Sequence, residues 1–143
     1  MLFAGKKDRV ALRFGAESLT YAELASVAGS LAAGLAGRPR VAVWATPTIR
    51  TCVAIVAALT AGVPVVPINP KAGSRELAHI VVDSAPDLVL AAPDAVLPAE
   101  LGALPRIDVD LDTSGTPWQG AEPDPETPAF VIYTSGTTGP PKG

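Results

Sequence analysis

The 143 residues are 48% hydrophobic and only 17% charged, against roughly 25% charged in an average soluble domain, which suits one core and not two comfortable domains. Lys and Arg number 11 against 14 Asp and Glu, a net charge of -3 with no basic patch, which argues against a nucleic-acid surface and confines any phosphate binding to a local site. A single cysteine, Cys52, excludes an internal disulfide framework and predicts a reducing, cytoplasmic setting.

The opening MLFAGKKDRVALRF has too short an apolar stretch for a signal peptide, and its lysines follow that stretch instead of preceding it. VALRF, 10 to 14, reads as a strand and GAES as a turn. In TYAE, Thr20 can cap a helix while Glu23 closes the reciprocal capping box. The helix is predicted to reach Leu35, with Tyr21, Leu24, Ala28, Leu31 and Leu35 on one apolar stripe, before Gly37 and Pro39 stop it. VAVWA, 41 to 45, has the continuous apolar character of a strand covered on both faces.

Thr46 and Pro47 then read as cap and first residue of a helix ending near Ala61, with Gly62 as its stop. Residues 51 to 68 just reach bilayer-spanning length, but Gly62, Pro64 and Pro67 divide them into a buried helix and a strand, 63 to 68, with no membrane role. The prolines put that strand at an edge or at its own ends. Ser74 is expected to cap a helix through Ser84. DLVLAA, 87 to 92, is a buried strand; a weaker helix spans 94 to 102; RIDVDL, 106 to 111, alternates like a strand with one wet face. The alternation of strands and helices predicts an α/β fold, a mostly parallel sheet flanked by helices.

Residues 112 to 128 are rich in proline, glycine and acid and read as a loop, with Trp118 tethering it to the body. AFVIY, 129 to 133, is a buried-type strand that delivers the chain into TSGTTGPPKG, 134 to 143. Gly136 and Gly139 let the backbone turn tightly and bring amide N–H groups to phosphate oxygens. Thr134, Ser135, Thr137 and Thr138 add hydroxyl donors, and Lys142 supplies a positive charge. A polar linker of turn-forming residues is the competing reading of the same composition. The loop is not the P-loop of kinase-like ATPases, because Pro141 precedes Lys142 and Gly143 follows it where a magnesium-binding hydroxyl is needed. The dinucleotide fingerprint also fails.

IYTSGTTGPPKG, 132 to 143, resembles the phosphate loop of the adenylate-forming enzymes, which include acyl-CoA synthetases, adenylation domains of peptide synthetases, and luciferases. LTYAELASVAGSLAAGL, 19 to 35, and AGVPVVPINP, 61 to 70, are similar to earlier parts of that family, and INPKAGSRELAHIVVDSAPDLVL, 68 to 90, is similar to its malonyl-CoA synthetases. The resemblance implies that residues 1 to 143 are the N-terminal portion of the large ATP-binding domain of a longer enzyme, inactive alone and completed by the remainder of the same polypeptide. It implies ATP, Mg2+ and coenzyme A, with malonate or methylmalonate as the small carboxylate.

On that resemblance Thr134, Ser135, Gly136, Thr137, Thr138, Gly139 and Lys142 bind the β and γ phosphates. No catalytic or metal-binding residue is assigned, since those would lie beyond Gly143. Two alternatives stay open: an adenylation domain loading a carrier-protein thiol, and a non-enzymatic α/β binding domain with a flexible tail. His79 is read as a surface or packing residue, Cys52 as an inert core thiol and Trp44 as core packing, and Asp108 and Asp110 as solvated carboxylates sharing one strand face.

Overall fold

The computed structural model describes residues 6–134 and Gly143. A β-hairpin comes first. Strands β1 (Val10–Phe14) and β2 (Glu17–Thr20) pair antiparallel, so the turn expected over GAES shrinks to its first residues and Glu17 begins a strand. Among the described residues β1 pairs with β2 and with no strand of the parallel sheet.

Helix α1 (Tyr21–Leu35) starts where the capping box places it. The Glu23 amide donates to Thr20 Oγ1 at 3.2 Å, and the Thr20 amide donates to Glu23 Oε2 at 2.8 Å. β3 (Val41–Trp44) follows, then α2 (Ile49–Thr60), two residues later than predicted. Pro47 holds the residue before it out of the helical region, and Thr48, not Thr46, is the N-cap, itself extended. Thr46 serves instead through its carbonyl, which accepts from Thr51 Oγ1 at 2.6 Å. Gly62, at φ +69°, ends the helical segment as expected and turns the chain into β4 (Val65–Ile68).

Helix α3 (Ser74–Ser84) has Gly73 as its N-cap, so Ser74 is not the cap. Its hydroxyl reaches across to the Glu100 carboxylate instead. After β5 (Val89–Ala91), the helix expected over 94 to 102 contracts to one 3-10 turn at Ala99–Leu101, entered through the extended Pro98. β6 (Arg106–Asp108) is shorter than the six residues predicted.

The sheet order is β4-β3-β5-β6, all parallel. Because strand side chains alternate between faces, Val41, Val43, Val65 and Leu90 meet α1 and α2, whereas Ala42, Trp44, Val66, Ile68 and Val89 meet α3. Trp44 is a core residue, as read. Residues 112 to 128 form the expected loop, strapped across α1: the Thr116 amide donates to Ser30 Oγ at 3.2 Å, and half-buried Trp118 donates its indole N–H to the Ala121 carbonyl.

Among the described residues the strand expected at 129 to 133 is reduced to a parallel bridge between Phe130 and Val65 on the outer side of β4. Val65 donates to the Ala129 carbonyl at 2.9 Å and accepts from the Val131 amide at 2.8 Å. The next rung needs an N–H from residue 67, which is proline, and the ladder stops. Val131 and Tyr133 face the α3 side and pack there; Phe130 and Ile132 are 40% and 63% exposed.

Candidate functional site

In a parallel α/β sheet every strand delivers its carboxyl end to the same edge, where loops and helix N-termini gather. At that edge β3 runs out into Ala45 and Thr46, β4 into Asn69 and Pro70, and the segment beside β4 into Tyr133 and Thr134. The sheet therefore brings Thr134, which is exposed, to the edge at which such folds hold ligands. Ser135, Gly136, Thr137, Thr138, Gly139 and Lys142 lie outside the described residues.

Tyr133 is the residue of this edge that composition and spacing overlook. Its hydroxyl donates to Asp83 Oδ2 at 2.5 Å, and its ring meets His79 edge-on, with centroids 6.1 Å apart and planes at 89°. Burial, with the Asp83 hydrogen bond and charge adding to it, pushes the Tyr133 phenol above its ordinary range, so it stays protonated and donates. A sequence signal exists: Asp83 stands four residues after His79, one turn along the same helix face. That Tyr133 is the partner of both is not visible in it.

Other polar candidates serve the fold. Arg106 binds Asp108 at 2.7 Å and donates to the carbonyls of Ala92 and Ala95 at 2.8 Å each, clamping the turn after β5. Asp110 lies past the end of β6 and accepts from the Leu111 amide, so it and Asp108 do not act as a pair. Cys52 is half-buried rather than in the core, and desolvation pushes its thiol up, which suits an inert side chain. Among the described residues no three His, Cys, Asp or Glu gather to hold a metal ion. None of their helices is long and apolar enough to cross a membrane. A cleft of about 270 Å³ between Leu59, Val63, Pro123 and Pro128 opens at the amino end of β4, away from Thr134.

A family model described as AMP-binding enzyme matches residues 3–143. The chain belongs to the AMP-binding enzyme family. Its likeness to solved members of the family runs through the whole fold. With a malonyl-CoA ligase, solved as a ternary product complex with methylmalonyl-CoA and AMP bound, it shares 60% identity and a TM-score of 0.89 over 96% of this chain and 29% of that one. With a fatty acyl-adenylate ligase from L. pneumophila, in complex with acyl adenylate and pyrophosphate, the figures are 30% and 0.75, over 94% of this chain and 26% of that one. Surfactin synthase subunit 1 of Bacillus subtilis (strain 168) is 33% identical over 150 residues, which are 96% of this chain and 4% of the relative. The chain thus spans a small part of the family members it matches.

Proposed function

We propose that these residues are the N-terminal portion of the large ATP-binding domain of an acyl-CoA synthetase that activates malonate or methylmalonate. The observation that carries this reading is the 60% identity, across 96% of the chain, to a malonyl-CoA ligase. The parallel sheet that brings Thr134 to its carboxyl edge supports it. A carboxylate oxygen attacks the α phosphorus of ATP and the bond to the β-phosphate oxygen breaks, giving acyl-adenylate and pyrophosphate. The thiol of coenzyme A then attacks the acyl carbon, loses its proton, and AMP leaves.

In this scheme Thr134, Ser135, Thr137 and Thr138, with backbone amides freed by Gly136 and Gly139, hold the β and γ phosphates. Lys142 offsets charge developing on the leaving pyrophosphate. Magnesium belongs to the reading as the counter-ion of ATP. The remainder of the polypeptide would supply the carboxylate pocket and the coenzyme A site. Such an enzyme works in the cytoplasm, where both cosubstrates are held and Cys52 stays reduced.

The test is carboxylate-dependent exchange of pyrophosphate into ATP by the full-length protein, followed by thioester formation. Malonate or methylmalonate should be preferred over acetate. Lys142→Ala should raise the KM for ATP by about tenfold or more, the loss of one charge-assisted phosphate contact. Unchanged pyrophosphate release by that variant at subsaturating ATP removes Lys142 from the scheme.

The peptide-synthetase relatives favour a second reading, in which a carrier-protein thiol is the acceptor. Acyl transfer to a phosphopantetheinyl carrier protein and not to free coenzyme A would select it. Membership of the AMP-binding enzyme family runs against a non-enzymatic binding domain.

A further inference from the structure

The segment entering the phosphate loop is held to the body of the fold in two different ways. Up to Val131 it is held by backbone hydrogen bonds to Val65, and there the ladder ends for want of an N–H at Pro67. Ile132 contributes little, being largely exposed. At the next residue the side chain of Tyr133 takes over, its hydroxyl on Asp83 and its ring against His79. Thr134 follows at once.

The anchor is itself braced. Asp83 sits in the last turn of α3, where Ser84 Oγ donates to the Ile80 carbonyl at 2.5 Å and Arg40 Nη1 donates to the Ser84 carbonyl at 2.7 Å. Arg40 immediately precedes β3, so the end of α3 is tied back to the central sheet. Tyr133 therefore grips a fixed point and not a fraying helix end.

We propose that Asp83 and Tyr133 are a positioning pair that fixes the point at which the chain leaves the sheet for the phosphate loop, and thereby sets the affinity for the triphosphate of ATP. The inference rests on the adenylation reading above. Neither residue touches the reacting atoms. Their effect runs through Thr134, because a grip made of short hydroxyls and amides tolerates little displacement before its hydrogen bonds lengthen past useful range.

The experiment uses the full-length protein with Tyr133→Phe, which keeps the ring and its contacts and removes only the hydroxyl, with Asp83→Ala, which removes the acceptor, and with the two combined. Each single change should raise the KM for ATP about fivefold while kcat stays near its original value, the size of one lost hydrogen bond. The double variant should be no worse than either single one. Amide exchange in the peptide containing Tyr133 and Thr134 should quicken in all three.

An unchanged KM and unchanged amide protection in Tyr133→Phe overturns the proposal, as do strictly additive effects. Should Asp83→Ala fail to fold, Tyr133→Phe decides alone. If the unsubstituted protein exchanges no pyrophosphate with any carboxylate, the adenylation reading falls and takes the ATP part of the proposal with it. An active parent with indifferent variants removes the pair and leaves that reading standing.

Discussion

Gly29 of α1 lies directly beneath the backbone of Trp118, where the loop of residues 112 to 128 crosses the helix. A β-carbon at residue 29 would also fall 2.5 Å from the Thr116 carbonyl oxygen and 2.6 Å from the Pro117 carbonyl carbon. No side chain fits there without moving main chain. Gly34, five residues along the same helix, has open space around the corresponding position.

The two glycines should therefore respond to alanine with opposite signs. Gly34→Ala should stabilise the protein by about 0.5 to 1 kcal/mol through helix propensity. Gly29→Ala gains the same propensity but must strain the crossing or release it, for a net loss of about 1 to 2 kcal/mol. Thermal unfolding reads both, and faster proteolysis within residues 112 to 128 of Gly29→Ala would show that the loop has lifted. Equal shifts in the two variants would mean that the loop does not bear on α1.

The capping box should make the start of α1 sensitive to acid. The Thr20 amide, and after it the Thr20 hydroxyl, hold the Glu23 carboxyl below its ordinary range. A lowered folded value favours the charged form, so its contribution is fully present above the ordinary glutamate range and is lost as pH falls through the lowered value. Glu23→Gln should flatten the dependence of melting temperature on pH between about 5 and 3 relative to the parent. Thr20→Ala should cost about 1 kcal/mol at neutral pH. Parallel curves for the parent and Glu23→Gln would contradict the assignment.

Cys52 should be a slow nucleophile. Desolvation raises its thiol, so less thiolate is present at neutral pH than on a free cysteine. Alkylation by iodoacetamide at pH 7.5, followed at the peptide bearing Cys52, should be slower than for a cysteine model peptide and should reach the model rate in denaturant. Modification as fast as the model peptide in the native protein would place the thiol in water.

Much of the molecule is legible in local signals. Thr20 and Glu23 mark the start of α1, Gly62 marks the turn after α2, and the apolar runs at 41, 65 and 89 mark strands covered on both faces. Such signals act within one turn or one strand, and neighbouring residues suffice to set them. The start of α2 at Ile49 departs from the expected one because Pro47 also constrains the residues around it, and Ser74 has the look of a cap although its partner, Glu100, is 26 residues away. Nothing in DSAPD announces that Ala85 adopts φ 44°, a left-handed position more often given to glycine.

By itself the order of residues determined the α/β class, three helices and the core strands, because propensity, capping and hydrophobic period are local properties. Only the tertiary structure decided that β1 leaves the sheet for a hairpin, that Pro67 cuts the last ladder to one bridge, and that Tyr133 finds Asp83. Each of these depends on which strand lies beside which. Partners separated by 50 residues along the chain are chosen by packing, and no periodicity records that choice.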